Sequence, residues 1–254
     1  MFNAPCERGR GRMVVAEAFI RTLRELRERG NVTEVGFRDH WHRVVVESGE
    51  MTWDGWYPPP LMGMAVLFAT AADPSRVNFR TFRDGESFVS RATLDPVDGI
   101  VLGYASNVHR RTGLPGDFAT TVYLGREQRL LDHFRQAADV CREIASVVRP
   151  DLTAGELPAE ALTALARRGL GGTTHSDTDP DGHNVGHSLP RRLFVRRGGD
   201  SRLDSVDQFT IEPQVGSPDD PTLPKIMLHY VVSAQEQVAV CDACEDPLRD
   251  PAII

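Results

Sequence analysis

Two short segments in the C-terminal third constrain this chain most, because each joins a potential metal ligand to residues that fix the backbone. The first is GHNVGH, residues 182–187, and the second is FTIEP, residues 209–213. His183 follows a glycine, and Glu212 precedes a proline at the end of an apolar run. A glutamate in an apolar strand needs a compensating partner. The two segments therefore place two potential metal ligands, His183 and Glu212, where the backbone is fixed.

Composition limits the class of protein to an ordinary globular one. The chain has 254 residues, of which 41% are hydrophobic and 26% are charged, enough for one α/β domain with a large core. A formal net charge of −7 argues against a nucleic-acid partner. No apolar run approaches the roughly 20 residues that span a membrane, and the N-terminus does not have the pattern of a signal peptide. The four cysteines are sparse, so we expect a cytoplasmic protein with no membrane partner.

Helical periodicity is clearest in four segments. Thr33 is placed to cap one of these helices, and Thr153 with Glu156 forms a capping-box pattern at the start of another. Gly30 and Gly169 supply C-terminal stops. The pattern predicts helices at residues 13–29, 34–47, about 126–148, and from the capping box to about Arg168.

Short apolar runs bounded by turn residues predict strands between the helices. They lie at residues 64–70, 87–94, 99–104, 118–124, 206–212 and 226–233. A helix, a break and residues 31–37 are echoed by a helix, a break and residues 151–157. We therefore expect one domain of two related halves over residues 13–240, with tails at 1–12 and 241–254.

The motifs GYAS (residues 103–106), GHNVG and FTIEP, in this order, resemble the metal-binding core of the pita-bread superfamily. This superfamily includes methionine aminopeptidase, aminopeptidase P, prolidase and creatinase. The resemblance implies the pita-bread fold, an α/β (α+β) architecture of two pseudo-symmetric halves with a curved antiparallel sheet and outer helices. It also implies an enzyme, since members of the superfamily hold two metals with two aspartates, one histidine and two glutamates.

The resemblance assigns the metal ligands residue by residue, with departures. His183 matches the metal histidine, and Glu212 matches the first glutamate. His229 stands where the last glutamate is expected, and Asn107 stands where the bridging aspartate is expected. Strict spacing places the first aspartate of the motif at Pro96, and Asp95 is the adjacent candidate. A slip of one residue along a strand turns a side chain to the other face, which argues against Asp95 as a ligand.

The loss of carboxylates suits one divalent ion better than two. His183, Glu212 and His229 would form a set of two histidines and one carboxylate, with Asn107 as a neutral fourth ligand or a supporting hydrogen-bond donor. Such a set suits Fe(II), Mn(II) or Zn(II). We therefore expect a single-metal enzyme that acts on a small amino-acid or amide-like molecule. Two alternatives remain open: a dinuclear hydrolase of the Xaa-Pro or methionyl aminopeptidase type, and a non-catalytic binding protein.

Several other residues are candidates for contact with the substrate. His187 lies near the second histidine position of the superfamily, and Tyr104 lies in the GYAS motif. Trp56 precedes a run of prolines and would line a substrate mouth or form a stiffened loop. The sequence leaves the oligomeric state open, including a homodimer. Three other histidines are expected at exposed loop or helix positions: His109, His133 and His175.

Overall fold

The computed structural model describes residues 9–55, 61–78, 92–173, 185–187, 194–195, 199–205, 208–233 and 238–239. Along this described chain there are two compact units, one running to Arg126 and the other beginning at Glu127. None of the helices in these ranges is long and apolar enough to cross a membrane. The expectation of a single domain with two short tails stays a prediction.

The described residues of the first unit form two α-helices and five strands. Strands β2, β3 and β5 form an antiparallel sheet, and β1 pairs with β4. The bounds are α1 Arg10–Arg27, α2 Glu34–Glu47, β1 Met51–Gly55, β2 Met64–Thr70, β3 Gly99–Ala105, β4 Asn107–His109 and β5 Phe118–Tyr123.

Local signals set the helix bounds in this unit. The Thr33 hydroxyl accepts a hydrogen bond from the Gly36 amide at 3.1 Å, so the predicted N-cap of α2 is confirmed. Gly30, after α1, has a φ of 68°, which a glycine adopts without strain. Helix α1 begins three residues earlier than the pattern predicts, and strand β2 has the predicted bounds.

Aromatic packing joins the helices to the sheet in the core of the first unit. The Phe19 ring of α1 lies 5.0 Å from Trp41, 5.6 Å from Phe37 and 5.7 Å from Phe118, measured between centroids. A Cβ added to Gly103 of β3 would lie 2.5 Å from this ring, so only glycine lets the strand approach α1 so closely. Because neighbouring strand residues face opposite sides, Tyr104 points to the sheet face away from α1.

The second unit repeats the order of a helix pair and short antiparallel strands. Its helices begin close to the predicted positions. In the first unit, the strand predicted at residues 87–94 falls mostly outside the described residues. The bounds are α3 Gln128–Ser146, α4 Leu157–Arg167, β6 Gly171–Thr173, β7 Gly186–His187, β8 Phe194–Val195, β9 Phe209–Ile211, β10 Gln214–Gly216, β11 Ile226–Met227, β12 Tyr230–Ser233 and β13 Val238–Ala239.

The capping box before α4 is confirmed by its hydrogen bonds. The Thr153 amide donates to the Glu156 carboxylate at 2.8 Å, and the Glu156 amide donates to the Thr153 hydroxyl at 3.3 Å. These contacts lower the pKa of the Glu156 carboxyl, chiefly through the Thr153 amide. Gly169 follows the helix with a φ of 67°, as the predicted C-terminal stop requires.

A long hairpin, residues 208–233, organises the second unit. Ile211 pairs with Tyr230 in β9–β12, and Gln214 pairs with Met227 in β10–β11, so one antiparallel register continues through both strand pairs. Alternate residues of its first strand face the apolar core with their partners across the ladder: Phe209 with Val232, Ile211 with Tyr230, and Val215 with Ile226. The other face of this strand is polar, with Gln208, Thr210, Glu212 and Gln214.

Candidate metal centre

Glu212 is the buried carboxylate of the long hairpin. It follows β9 directly and is 2% exposed. Its backbone amide donates to the Val185 carbonyl at 2.9 Å, which joins the hairpin to the segment before β7. The flanking Ile211 belongs to the core, so the strand alternation turns the Glu212 carboxylate to the polar face.

His229 lies across the hairpin from Glu212. The register that pairs Ile211 with Tyr230 sets the next two residues, Glu212 and His229, opposite each other. The Nε2 atom of His229 is 3.3 Å from Oε2 of Glu212, and the His229 residue is 2% exposed. The two residues that the resemblance assigns as ligands therefore lie side by side, and metal binding by them stays a prediction.

His187 brings a second imidazole to the same carboxylate. Its Nε2 atom lies 3.5 Å from Oε1 of Glu212, and its backbone amide donates to the Thr210 hydroxyl at 3.1 Å. A Cβ added to Gly186 would overlap the carbonyl oxygen of Thr210. Glycine before the histidine is therefore what allows β7 to lie against β9 and hold His187 beside Glu212.

The donor atoms are of types that bind a divalent transition metal. Two nitrogens and a carboxylate, all buried, are ligand types that Fe(II), Mn(II) and Zn(II) accept. Ligands bound to one ion at about 2.0–2.2 Å lie roughly 3–3.5 Å from each other. Each imidazole nitrogen lies at such a distance from one oxygen of the Glu212 carboxylate, His229 at 3.3 Å from Oε2 and His187 at 3.5 Å from Oε1. Burial also keeps bulk water from competing for the ligand atoms.

Two of the predicted site residues, His183 and Trp56, lie outside the described residues. The structure therefore brings together Glu212, His229 and His187, the last of which the sequence assigns to substrate contact. The assignment of His183 as a ligand stays a prediction.

The other predicted ligands belong to the first unit. Asn107 begins β4, is fully buried, and donates from Nδ2 to the carbonyls of Thr52 and Met62, both at 3.2 Å. Asp95 precedes β3, and its Oδ1 accepts from the amides of Val97 at 2.8 Å and Asp98 at 3.0 Å. This contact gives Asp95 a role in forming the turn. Metal binding by either residue stays a prediction.

Two further polar residues of the first unit, Tyr104 and Asp117, are buried. Tyr104, predicted to contact substrate, is 6% exposed and faces away from α1. Asp117, which the sequence analysis passed over, is a buried acid just before β5, and its backbone carbonyl accepts from Arg12 at 2.6 Å. A single aspartate between a glycine and a fully buried strand is the signal that could have drawn attention to it.

The expectation of exposed histidines is wrong at two positions. His109 is 3% exposed because it lies in the β1–β4 pair, where its Nδ1 is 2.9 Å from the Thr112 hydroxyl. His133 is 4% exposed because its Nε2 donates to the Pro224 carbonyl at 3.0 Å. Burial lowers the pKa of His133. His175 lies outside the described residues.

Solved structures with the same arrangement of elements are known. The dipeptidase PepE from Mycobacterium ulcerans has a TM-score of 0.62 at 17% identity, over 91% of this chain and 56% of that one. The Xaa-Pro dipeptidase from Bacillus anthracis has a TM-score of 0.64 at 12% identity, over 92% and 59%. The methionine aminopeptidase from Thermotoga maritima has a TM-score of 0.59 at 14% identity, over 92% and 94%.

These comparisons define the class of the protein by its fold, which is the pita-bread fold that the sequence motifs predict. No model of a known protein family matches the chain, and no curated protein sequence matches it. The chain spans less than two thirds of the length of the two dipeptidases. At these identities the likeness establishes the fold, and the activity has to be argued from the site.

Proposed function

We propose that this protein is a metal-dependent enzyme that holds one divalent transition metal, Fe(II), Mn(II) or Zn(II), and acts on a small amino-acid or amide-like molecule. The observation that carries the proposal is the buried Glu212 carboxylate with an imidazole nitrogen at each of its oxygens, 3.3 Å and 3.5 Å away. The names of the similar structures, dipeptidases and an aminopeptidase, support amide-bearing substrates.

The charge of the ligand set favours one ion. In the second unit the site offers one carboxylate and two imidazoles that bind metal in the neutral form. One negative charge balances half the charge of one divalent cation, and two such cations would leave a large excess of positive charge. Asn107 and His229 also stand where the pita-bread motifs carry carboxylates, which reduces the negative charge further.

Each residue of the site has a defined task in this proposal. Glu212 and His229 hold the metal, together with an imidazole from residues 182–187: the predicted His183, or His187, which lies beside Glu212. Thr210 fixes the backbone of His187. A bound divalent metal at such a set supplies a Lewis acid that polarises a carbonyl oxygen or activates water.

A dinuclear hydrolase is the second candidate, and one observation favours it. The two imidazoles face different oxygens of the Glu212 carboxylate, as they would if the carboxylate bridged two ions. An enzyme of this kind would cleave peptides, as the names of the similar dipeptidases indicate for those proteins.

Metal analysis of protein purified without added metal separates the candidates. We expect about one transition-metal ion per chain in the wild type and none retained in Glu212→Gln or His229→Gln. His40→Gln is a matched control, because His40 contacts the Glu25 carboxylate at 2.8 Å on the helical side of the first unit. Two tightly bound ions would select the dinuclear hydrolase, and a wild type that retains no metal would contradict both candidates.

A further inference from the structure

The polar face of the long hairpin carries two buried primary amides beside the candidate metal ligands. Gln208 is 1% exposed and Gln214 is 6% exposed. In the part of the chain that the structure describes, no hydrogen-bond partner reaches Nε2 of either residue. An NH2 group buried without an acceptor is unfavourable, so two of them on one face need an explanation.

Strand alternation places both amides on the face of Glu212. Alternate residues of a strand face the same side, so residues 208, 210, 212 and 214 share one face. The intervening residues Phe209, Ile211 and Val215 belong to the apolar core. The register of the hairpin is continuous across this stretch, so no slip turns one of the glutamines to the other face.

The spacing along the strand puts one amide on each side of Glu212. Two residues on one face of a strand are about 7 Å apart, so Gln214 lies about 7 Å from Glu212 in one direction and Gln208 about 13 Å in the other. A molecule bound at Glu212 would therefore meet an NH2 donor in both directions along the hairpin.

We infer that Gln208 and Gln214 are substrate-binding residues, whose amides donate hydrogen bonds to carbonyl or carboxylate oxygens of an elongated substrate. The substrate carries acceptor oxygens on both sides of the group that lies at Glu212, spread over much of the roughly 20 Å between the two glutamines, as an N-acylated chain of several amide units does. The bound substrate then supplies acceptors to the two buried amides, whose Nε2 atoms meet none among the described residues. This inference rests on the proposed function, because it takes the centre at Glu212 as the reacting position.

Isothermal titration of the Mn(II)-loaded protein tests the inference. The probe is N-acetylpentaalanine, whose extended chain of about 18 Å has carbonyls along its length and a carboxylate at its end. The control probe is n-hexylamine, which has no carbonyl oxygen. We expect the wild type to bind N-acetylpentaalanine and not n-hexylamine. Gln208→Met and Gln214→Met keep the side-chain length and remove the NH2 group, and each should bind the probe about tenfold more weakly.

Thr22→Val is the matched control variant. Thr22 of α1 is fully buried in the first unit, and no partner reaches its hydroxyl within the described ranges. Its replacement removes a buried polar atom of the other unit and should leave probe binding at the wild-type value. The Tm of Thr22→Val should equal or exceed that of the wild type, because this variant loses a buried hydroxyl that has no hydrogen-bond partner among the described residues.

Two results would overturn the inference: no binding of N-acetylpentaalanine by the wild type, or unchanged binding by both glutamine variants. Metal content, measured on the same samples, keeps this test separate from the proposed function. Retained metal with unchanged binding by both variants removes only the inference. Binding that depends on the glutamines in a protein that retains no metal removes only the proposed metal centre.

Discussion

At the scale of a single residue, Gly186 lets the backbone of β7 lie close enough to β9 to place His187 beside Glu212. Its Cα approaches the Thr210 carbonyl so closely that no side chain fits between them. The approach lets the Thr210 hydroxyl accept from the His187 amide and sets the His187 imidazole 3.5 Å from Glu212. A residue with no side chain therefore determines where a candidate ligand lies.

Gly186→Ala should reduce metal retention and destabilise the protein, because the added methyl group forces β7 away from β9. Overpacking of this kind costs about 1–3 kcal/mol. Gly216→Ala is the control, since a Cβ there makes an ordinary contact, 3.6 Å from Lys225. The measurements are metal content and the free energy of unfolding in urea. Equal metal content in the two variants would show that the close approach does not position a ligand.

At the scale of elements, side chains of helix α3 contact the loop at residues 217–224. The His133 imidazole donates to the Pro224 carbonyl, and Arg129 forms an ion pair with Asp220 and a hydrogen bond to Thr222. The Thr222 hydroxyl and Arg129 lower the pKa of the Asp220 carboxyl to about 2. These contacts hold the loop that joins the two strands of the long hairpin.

His133 makes the stability of this region depend on pH. Burial lowers its pKa below the ordinary value of 6.5, while the Pro224 carbonyl and Asp220 partly oppose the shift. The unfolded chain therefore binds the proton first as the pH falls through 6.5, and the folded state loses stability below that value. Above it, the residue contributes no pH dependence.

We expect the free energy of unfolding in urea to fall between about pH 7.5 and pH 5.5, and to fall less in His133→Gln. Glutamine can still donate to the Pro224 carbonyl but does not titrate. The same slope in both proteins would contradict this origin of the pH dependence.

The close contact between strand β3 and helix α1 also depends on packing between elements. Gly103→Ala should destabilise the first unit by about 1–3 kcal/mol, because the added Cβ would lie 2.5 Å from the Phe19 ring. Phe19→Leu removes that ring, so the double variant should lose less than the sum of the two single losses. Strict additivity, measured by urea unfolding, would show that the contact is not the cause.

At the scale of the whole molecule, the type of reaction depends on the fold together with the residues that occupy its motif positions. The pita-bread fold is shared with dipeptidases and an aminopeptidase, but the carboxylates that the motifs predict are partly replaced by Asn107 and His229. Loss of one preorganised charge-stabilising group typically costs about 10²–10³ in rate. We therefore predict negligible release of N-terminal methionine, or of residues before proline, from peptides.

A peptide panel run with Fe(II), Mn(II), Co(II) and Zn(II) in turn checks this prediction. Glu212→Gln provides the background rate, because it removes the central carboxylate. Rapid peptide release by the wild type that disappears in this variant would favour the dinuclear hydrolase.

Local sequence signals determined much of this protein. The Thr33 cap, the capping box at Thr153, the apolar run of β2 and the stops at Gly30 and Gly169 each depend on contacts within a few residues, and all are present in the structure. The order of GYAS, GHNVG and FTIEP was sufficient to predict the pita-bread fold. These features are readable because the interactions that produce them are close in sequence.

The tertiary structure decided how the side chains meet and added contacts that the sequence analysis did not predict. Glu212 and His229, which the motifs assign to one site, face each other because one antiparallel register runs through two strand pairs. His187 reaches Glu212 because of a close approach between β7 and β9, and His133 is buried by a loop far along the chain. A shift of one residue in register turns a side chain to the opposite face. Contacts between distant segments therefore depend on packing and register, which composition and periodicity do not specify.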